Sequence, residues 1–185
     1  MNNWNINKGF EEKMTPFIDE IYKKHFGYDI KISRSTRENE TKTTLFADRF
    51  LAIDTFIKFP DGQTINLQEK SRLFKFLKYN DFTIQYYKNS ESKTEGYWFY
   101  LMAQLYFFGI ANENNDGYEK YYILNVVVLR IALKSLDTKS LLKLKRNNQK
   151  STDSDFIPIP FETIEKLDKE FNGLILHKSN DTNNR

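Results

Sequence analysis

The chain has 185 residues, enough for one domain with a substantial hydrophobic core. It contains no cysteine, which excludes disulfides, thiol chemistry and cysteine-based zinc sites. Its two histidines, His25 and His177, exclude a histidine-rich metal cluster and argue against a Ser-His-Asp triad. The net charge of +3 permits nucleic-acid binding without requiring it.

No targeting or membrane segment is predicted from the sequence. Met1 leads directly into polar residues, unlike a signal peptide. The longest strongly apolar run, residues 97–111, is too short to span a bilayer. We therefore expect a soluble cytoplasmic protein with no membrane partner.

The first predicted elements are a helix and a short strand. Residues 9–26 carry apolar side chains at helical spacing. Thr15-Pro16 is a natural cap and first position for the regular part of this helix. Residues 28–33 alternate like a short strand, and residues 34–44 are polar and predict a loop.

Residues 48–72 predict a β-hairpin. Two runs rich in Phe, Ile, Leu and Thr flank Pro60-Asp61-Gly62. Proline fixes φ for the first turn position, and glycine accepts the left-handed third position. The pattern therefore favours a three-residue loop in which Phe59 faces Gln63.

The register of this hairpin decides which polar side chains share a face. With the three-residue loop, Asp54 lies opposite Gln68, and strand alternation places both on the same face as Lys70. A two-residue loop would put Asp54 opposite Glu69 and move Gln68 and Lys70 to the other face. We favour the first register because Pro60 has a natural place in it.

Three further segments complete the predicted core. Residues 82–87 are typical of a third strand. Residues 97–108 are apolar almost all round and predict a helix packed across a sheet, with core packing favoured over base stacking. Residues 121–132 form a β-branched run typical of a central strand buried on both faces. Without the short strand at residues 28–33, the order is then helix, strand, strand, strand, helix, strand.

The C-terminal part is expected to be accessory to residues 1–145. In chain order we predict a short helix (136–144), a polar linker (146–155), an extended segment (156–160), a helix (162–171) stopped by Gly173, and a disordered tail (179–185). Residues 146–185 are thus interpreted as linker, accessory helix and tail.

Asp54 followed, after thirteen residues, by Gln68-Glu69-Lys70 resembles the PD-(D/E)XK nuclease superfamily in its QxK variant. The resemblance extends over about residues 8–130 through the order of elements. Ile53 stands where the name-giving proline would be, and Gln68 is neutral where most members carry a carboxylate. The implied fold class is α/β, with a restriction-endonuclease-like αβββαβ core and a central mixed sheet flanked by helices.

The resemblance also implies a site that holds Mg²⁺ or Mn²⁺. Asp54 would supply a charged ligand, Gln68 an amide oxygen and Glu69 its backbone carbonyl. Lys70 would lie beside the phosphate, orient the water and stabilise developing charge. Arg72, two residues further along the same face, would contact the nucleic-acid backbone.

One more acid on the first helix would be aimed at this site. Four are available and spacing does not choose among them: Glu11, Glu12, Asp19 and Glu20.

The expected function is metal-dependent hydrolysis of DNA phosphodiester bonds, by an endonuclease or resolvase-like enzyme from a phage or mobile element. One alternative is the same fold used as a non-catalytic nucleic-acid-binding module, which the neutral Gln68 makes conceivable. Another is an α/β interaction protein that forms a homodimer through its aromatic helix. The simplest alternative for the hairpin is a solvent-exposed polar face without a functional site, with a surface ion pair between Asp54 and Lys70.

Overall fold

The computed structural model of the chain describes residues 3–34, 42–147 and 154–179. The helices are α1 (Asn3–Phe26), α2 (Lys42–Leu51), α3 (Tyr97–Tyr100), α4 (Val126–Ser135), α5 (Thr138–Lys143) and α6 (Phe161–Phe171), with a 3₁₀ helix at Phe74–Tyr79. The strands are β1 (Lys31–Arg34), β2 (Thr55–Lys58), β3 (Thr64–Arg72), β4 (Asp81–Asn89), β5 (Thr94–Glu95), β6 (Leu105–Ala111), β7 (Tyr118–Asn125), β8 (Arg146–Asn147), β9 (Asp155–Pro160) and β10 (Ile175–Lys178).

The strands form two sheets. The central sheet has the order β1-β2-β3-β6-β7-β10, and the second sheet has the order β5-β4-β9-β8. Within the central sheet β3 and β6 are parallel, and the other neighbouring strands are antiparallel. The fold is therefore mixed α/β with a mixed central sheet and helices, as the sequence predicted at this level.

Both faces of the central sheet are covered. On one face Ile18 and Tyr22 of α1 pack with Leu67 and Phe107. On the other face a larger cluster joins β6 and β7 to the second sheet, α4 and α6. Strand alternation sends neighbouring side chains of β6 into different clusters, Phe107 into the first and Phe108 into the second.

The predicted hairpin and its register are confirmed. Thr55 pairs with Leu67 and Lys58 with Thr64, and the Phe59 N–H donates to the Gln63 carbonyl at 2.9 Å. The loop is Pro60-Asp61-Gly62, with Gly62 at φ 88°. Proline and glycine thus occupy the turn positions that their backbone preferences suit.

The helix predicted over residues 97–108 is wrong. Only α3 is helical there, and the same run continues into β6, in which every residue is buried. An apolar run without periodicity is typical of a strand covered on both faces as well as of a buried helix. Parallel pairing with β3 on one side and antiparallel pairing with β7 on the other selects the strand.

The strand predicted over residues 121–132 is only half right. Its first part lies in β7, but the β-branched residues from Val126 onward begin α4. The Asn125 side chain accepts hydrogen bonds from the N–H groups of Val127 at 3.0 Å and Val128 at 3.2 Å. Asn125 is therefore an N-cap, and this local signal outweighs the β-propensity of the valines.

Two predictions in the N-terminal third are also corrected. α1 begins well before Pro16 and contains it, while the Thr15 hydroxyl donates to the Glu11 carbonyl at 3.0 Å. Residues 42–51 are helical in α2, although we expected a loop up to residue 44 and a strand from residue 48. The strand begins at Thr55.

Residues 82–87 are a strand, as predicted, but β4 belongs to the second sheet. The extended segment and the helix of the C-terminal part are confirmed as β9 and α6. β9 pairs with β4 and β10 pairs with β7, so this part contributes to both sheets. Most of the predicted linker (148–153) and tail (180–185) lies outside the described residues. The division between residues 1–145 and 146–185 stays a prediction.

Among the described residues, no helix is long and apolar enough to cross a membrane.

Gly96 is required by a close backbone approach. A Cβ added there would lie 2.4 Å from the Gln85 carbonyl oxygen, whereas a Cβ at Gly9 in α1 would meet nothing within 4 Å. We expect Gly96→Ala to lower the free energy of unfolding by about 1–3 kcal/mol, because backbone must move. Gly9→Ala is the matched control and should raise it by up to about 1 kcal/mol through helix propensity. Urea denaturation of both variants measures these changes. Equal changes in the free energy of unfolding would contradict the proposed clash at residue 96.

Asp155 is a buried carboxylate held between β8 and β9. Burial alone would raise its pKa, but hydrogen bonds from Lys145, Asn147 and Ser90 outweigh burial and lower the pKa below the ordinary value of 3.8. A lowered folded-state pKa contributes stability above the unfolded-state pKa and loses it as pH falls through the folded-state value.

We therefore expect wild-type protein to lose more stability than Asp155→Asn between pH 5 and pH 2. Urea denaturation across this range measures the difference. If the two proteins lose the same stability across this range, the charge of Asp155 does not stabilise the folded state.

Candidate active site

The connection between α2 and β2 places Asp54. Ala52 adopts a left-handed backbone at φ 48°, and the Ile53 N–H donates to the Ala47 carbonyl at 3.1 Å. The Asp54 N–H then donates to the Leu67 carbonyl at 2.9 Å, which fixes Asp54 to β3 immediately before β2 begins. The tight end of α2 and the hairpin register together hold the aspartate opposite Gln68.

Asp54, Gln68 and the Glu69 backbone meet at one point. The Gln68 amide nitrogen donates to the Asp54 carboxylate and, at 3.2 Å, to the Glu69 carbonyl oxygen. The Glu69 N–H donates to the same Asp54 oxygen at 2.8 Å. The three groups that the sequence proposes as metal ligands are therefore adjacent.

The surroundings of Asp54 disfavour its negative charge. Although the side chain keeps partial access to solvent, removal from bulk water is the largest cause that raises its pKa, to about 8. The Glu69 N–H opposes this, while the charges of Glu69, Asp48 and Glu11 raise the pKa further. The charges of three carboxylates thus act on Asp54, which forms no ion pair with a cationic side chain of the described residues.

Lys70 lies at the open edge of this site. Its side chain is exposed, and it forms no hydrogen bond or ion pair with any residue in the described part of the chain, including Asp54. Its charge lowers the pKa of Glu11, although burial is the larger influence there and raises it. The surface ion pair between Asp54 and Lys70 that we considered is therefore not formed.

The structure distinguishes the candidate acids on α1. Two are held in ion pairs, Asp19 with Arg34 at 2.6 Å and Glu20 with Lys23 at 2.7 Å. The charge of Glu11 raises the pKa of Asp54. The pKa of Glu11 is itself raised by burial, lowered by the charge of Lys70 and raised by the charge of Glu69. Among the four acids of α1, Glu11 is the one whose charge is among the largest influences on the pKa of Asp54, which it raises.

The Glu69 side chain points away from Asp54, on the face covered by α1. Its carboxylate accepts hydrogen bonds from the Tyr22 hydroxyl at 2.9 Å and from Arg34 at 3.0 Å. Only the backbone of Glu69 faces the site. The side chain anchors α1, and with it Glu11, to β3.

Arg72 is not brought to the site. Its guanidinium forms an ion pair with Asp81 at 3.1 Å and lies 4.2 Å from the centre of the Phe76 ring. The side chain is 14% exposed, and burial lowers its pKa. The structure places Arg72 in a buried link between β3 and the second sheet, so its predicted contact with a nucleic-acid backbone has no support here.

A cavity of about 480 Å³ opens beside Gln68. It is lined by Asp48, Arg49, Phe50, Ala52, Gln68, Lys88, Tyr97 and Tyr100. The sequence prediction missed most of these residues because α2 was predicted as loop and strand and α3 as part of a long helix. The left-handed position that ends α2 is Ala52, where glycine is the usual residue, so the sequence carries no helix-end signal there.

Within the described residues, no group of three or more His, Cys, Asp and Glu side chains is placed to hold a metal ion. The donors gathered at Asp54 are of mixed type: a carboxylate, an amide and a backbone carbonyl. Hard cations such as Mg²⁺ accept all three kinds of oxygen and retain several waters. The residues present therefore fit a divalent cation bound through few protein ligands.

No family model, curated protein or solved structure matches this chain.

The Asp54→Asn variant tests how the charge of Asp54 affects the stability of the folded protein. Asparagine retains an oxygen to accept the Glu69 N–H and removes the charge that the surroundings disfavour. In buffer containing EDTA we therefore expect the melting temperature of Asp54→Asn to equal or exceed that of wild type. Asp54→Ala removes the acceptor and should melt lower, because two donors lose their partner. A clear loss of stability in Asp54→Asn would contradict this account.

Proposed function

We propose that this protein is a metal-dependent nuclease that hydrolyses DNA phosphodiester bonds, with a PD-(D/E)XK-like core of the QxK variant. The observation that carries the proposal is the meeting of Asp54, the Gln68 amide and the Glu69 carbonyl beside an exposed Lys70.

The contacts between these groups involve oxygens that a cation could also bind. The Gln68 NH₂ group carries partial positive charge and lies between two oxygens, the Asp54 carboxylate and the Glu69 carbonyl. A half-turn about the last side-chain bond exchanges the NH₂ group for the amide oxygen. The same three residues would then offer three oxygens to Mg²⁺ or Mn²⁺.

The electrostatics also favour a cation. Asp54 has a pKa of about 8 because of burial and of the nearby charges of Glu69, Asp48 and Glu11. A divalent cation would compensate this concentration of negative charge and keep Asp54 ionised. The neutral Gln68 leaves one charge fewer than a carboxylate would, which predicts weaker cation binding than in a site with two acidic ligands.

Each residue then has a defined task in hydrolysis. A bound Mg²⁺ or Mn²⁺ supplies positive charge at the scissile phosphate. Asp54, Gln68 and the Glu69 carbonyl hold it, and Lys70 orients water and stabilises charge that develops on the phosphate. The charge of Glu11 raises the pKa of Asp54, and the charge of Lys70 lowers the pKa of Glu11.

The order of elements in the central sheet supports the same proposal. The chain runs through α1, β1, β2 and β3, crosses by way of α3, and returns as β6 parallel to β3. This is an αβββαβ order in which α2 is inserted between β1 and β2, and the 3₁₀ helix, β4 and β5 are inserted between β3 and α3. The elements that fill it differ from those predicted, since the last strand is β6 rather than residues 121–132.

We expect wild-type protein to cleave plasmid DNA with Mg²⁺ or Mn²⁺ and not with EDTA. Asp54→Ala and Lys70→Ala should each reduce the rate about 100-fold or more, because each removes a charge needed at the phosphate. Lys58→Ala is the matched control, an exposed lysine at the turn end of the same hairpin, and should cleave like wild type.

A second measurement does not depend on activity. Mg²⁺ or Mn²⁺ should raise the melting temperature of wild type and not of Asp54→Asn, because a cation that binds the folded state stabilises it. Gln68→Glu should bind the cation more tightly than wild type. DNA binding without cleavage in either metal, and without a thermal shift, would instead support a non-catalytic nucleic-acid-binding module.

A further inference from the structure

The outer face of α2 exposes two stacked phenylalanines. Phe46 is 53% exposed and Phe50 is 61% exposed, and their ring centres lie 5.1 Å apart at an interplanar angle of 27°. α2 is attached to the core elsewhere, through the buried Ala47 and the packed Leu51. The two rings are therefore outside the part of α2 that joins the buried core.

This phenylalanine stack leads directly into the candidate active site. Phe50 also lines the cavity of about 480 Å³ that reaches Gln68. The opposite lining includes Tyr97 and Tyr100 of α3. A ligand lying on Phe50 is therefore next to the amide that contacts Asp54.

Cationic side chains accompany the aromatic surface. Arg49 and Lys88 line the cavity, and the Lys88 ammonium lies 4.7 Å from the centre of the Tyr100 ring. Lys70 is exposed nearby on the strand that carries Gln68. Rings that offer a flat apolar face beside mobile positive charges suit a chain of bases joined by phosphates.

We propose that the phenylalanine stack of Phe46 and Phe50, with the adjoining cavity, binds unpaired bases of a single DNA strand. This inference rests on the proposed nuclease function and names its substrate class: DNA with a single-stranded segment at the cleavage point. In a duplex the base faces are covered by their neighbours, so exposed rings gain little from paired DNA. In a single strand every base offers a face for stacking.

The features of the surface favour this ligand over a second protein chain. Protein interfaces of standard size bury about 800 Å² on each partner around an apolar centre. Here the cavity at the centre is concave and lined by the charged Asp48, Arg49 and Lys88, and the exposed rings on the described part of α2 are Phe46 and Phe50. A second copy of the chain remains a testable occupant through its effect on self-association.

The test compares a labelled single strand with a duplex of the same sequence by fluorescence anisotropy, at low salt and in EDTA. EDTA prevents cleavage, so binding is measured alone. We expect wild type to prefer the single strand. The double variant Phe46→Ala/Phe50→Ala should bind the single strand about five- to hundredfold more weakly, as loss of base stacking does, and bind the duplex unchanged.

Two further variants test whether the effect is specific to this surface and to its aromatic rings. Tyr28→Ala removes an aromatic side chain that is 76% exposed and outside this surface, and should bind like wild type. Phe50→Trp keeps a stacking ring and should retain the preference for the single strand. Circular dichroism confirms that each variant is folded, which is expected because the changed rings are exposed.

Other outcomes overturn the inference. It fails if the double variant binds the single strand as wild type does, or if wild type shows no preference. It also fails if analytical ultracentrifugation shows that wild type is a dimer and that the double variant is a monomer. The two proposals fail separately: stacking-dependent binding without cleavage in Mg²⁺ or Mn²⁺ removes the nuclease, whereas cleavage that does not depend on Phe46 and Phe50 removes only the single-strand preference.

Discussion

The hydrogen bonds that gather at Asp54 are the constraint on which the site depends. One carboxylate oxygen accepts from the Glu69 backbone and from the Gln68 amide, at the junction where α2 passes into β2. These hydrogen bonds form only when α2 ends directly before Asp54, the hairpin has the observed register and β3 lies beside Asp54. Asp54 forms no ion pair with a cationic side chain among the described residues, and this supports the proposal that a cation binds there.

Glu69 links this site to the rest of the molecule. Its backbone faces Asp54, while its side chain binds Tyr22 and Arg34 on the face covered by α1. A strand can serve two faces in this way because backbone and side chain project differently. The position of Glu11 at the edge of the site thus depends on packing on the far side of the sheet.

The aromatic residues divide into two groups with different physical roles. Those of β6, such as Phe107 and Phe108, are fully buried and fix the central strand between two hydrophobic clusters. Phe46 and Phe50 remain exposed beside the cavity. Composition alone cannot separate these groups, because the residue types are the same and only the tertiary environment differs. Burial assigns the first group to stability, and exposure makes Phe46 and Phe50 available for the proposed contact with DNA bases.

The sequence alone determined the hairpin, its register and the adjacency of Asp54 to Gln68. These follow from Pro60 and Gly62, whose backbone preferences act over a few residues. Only the tertiary structure decided that residues 105–111 form a strand, that Asp19 pairs with Arg34, and that Arg72 is held by Asp81. Each of these depends on contacts between segments far apart in the chain, and no local pattern of side chains contains that information.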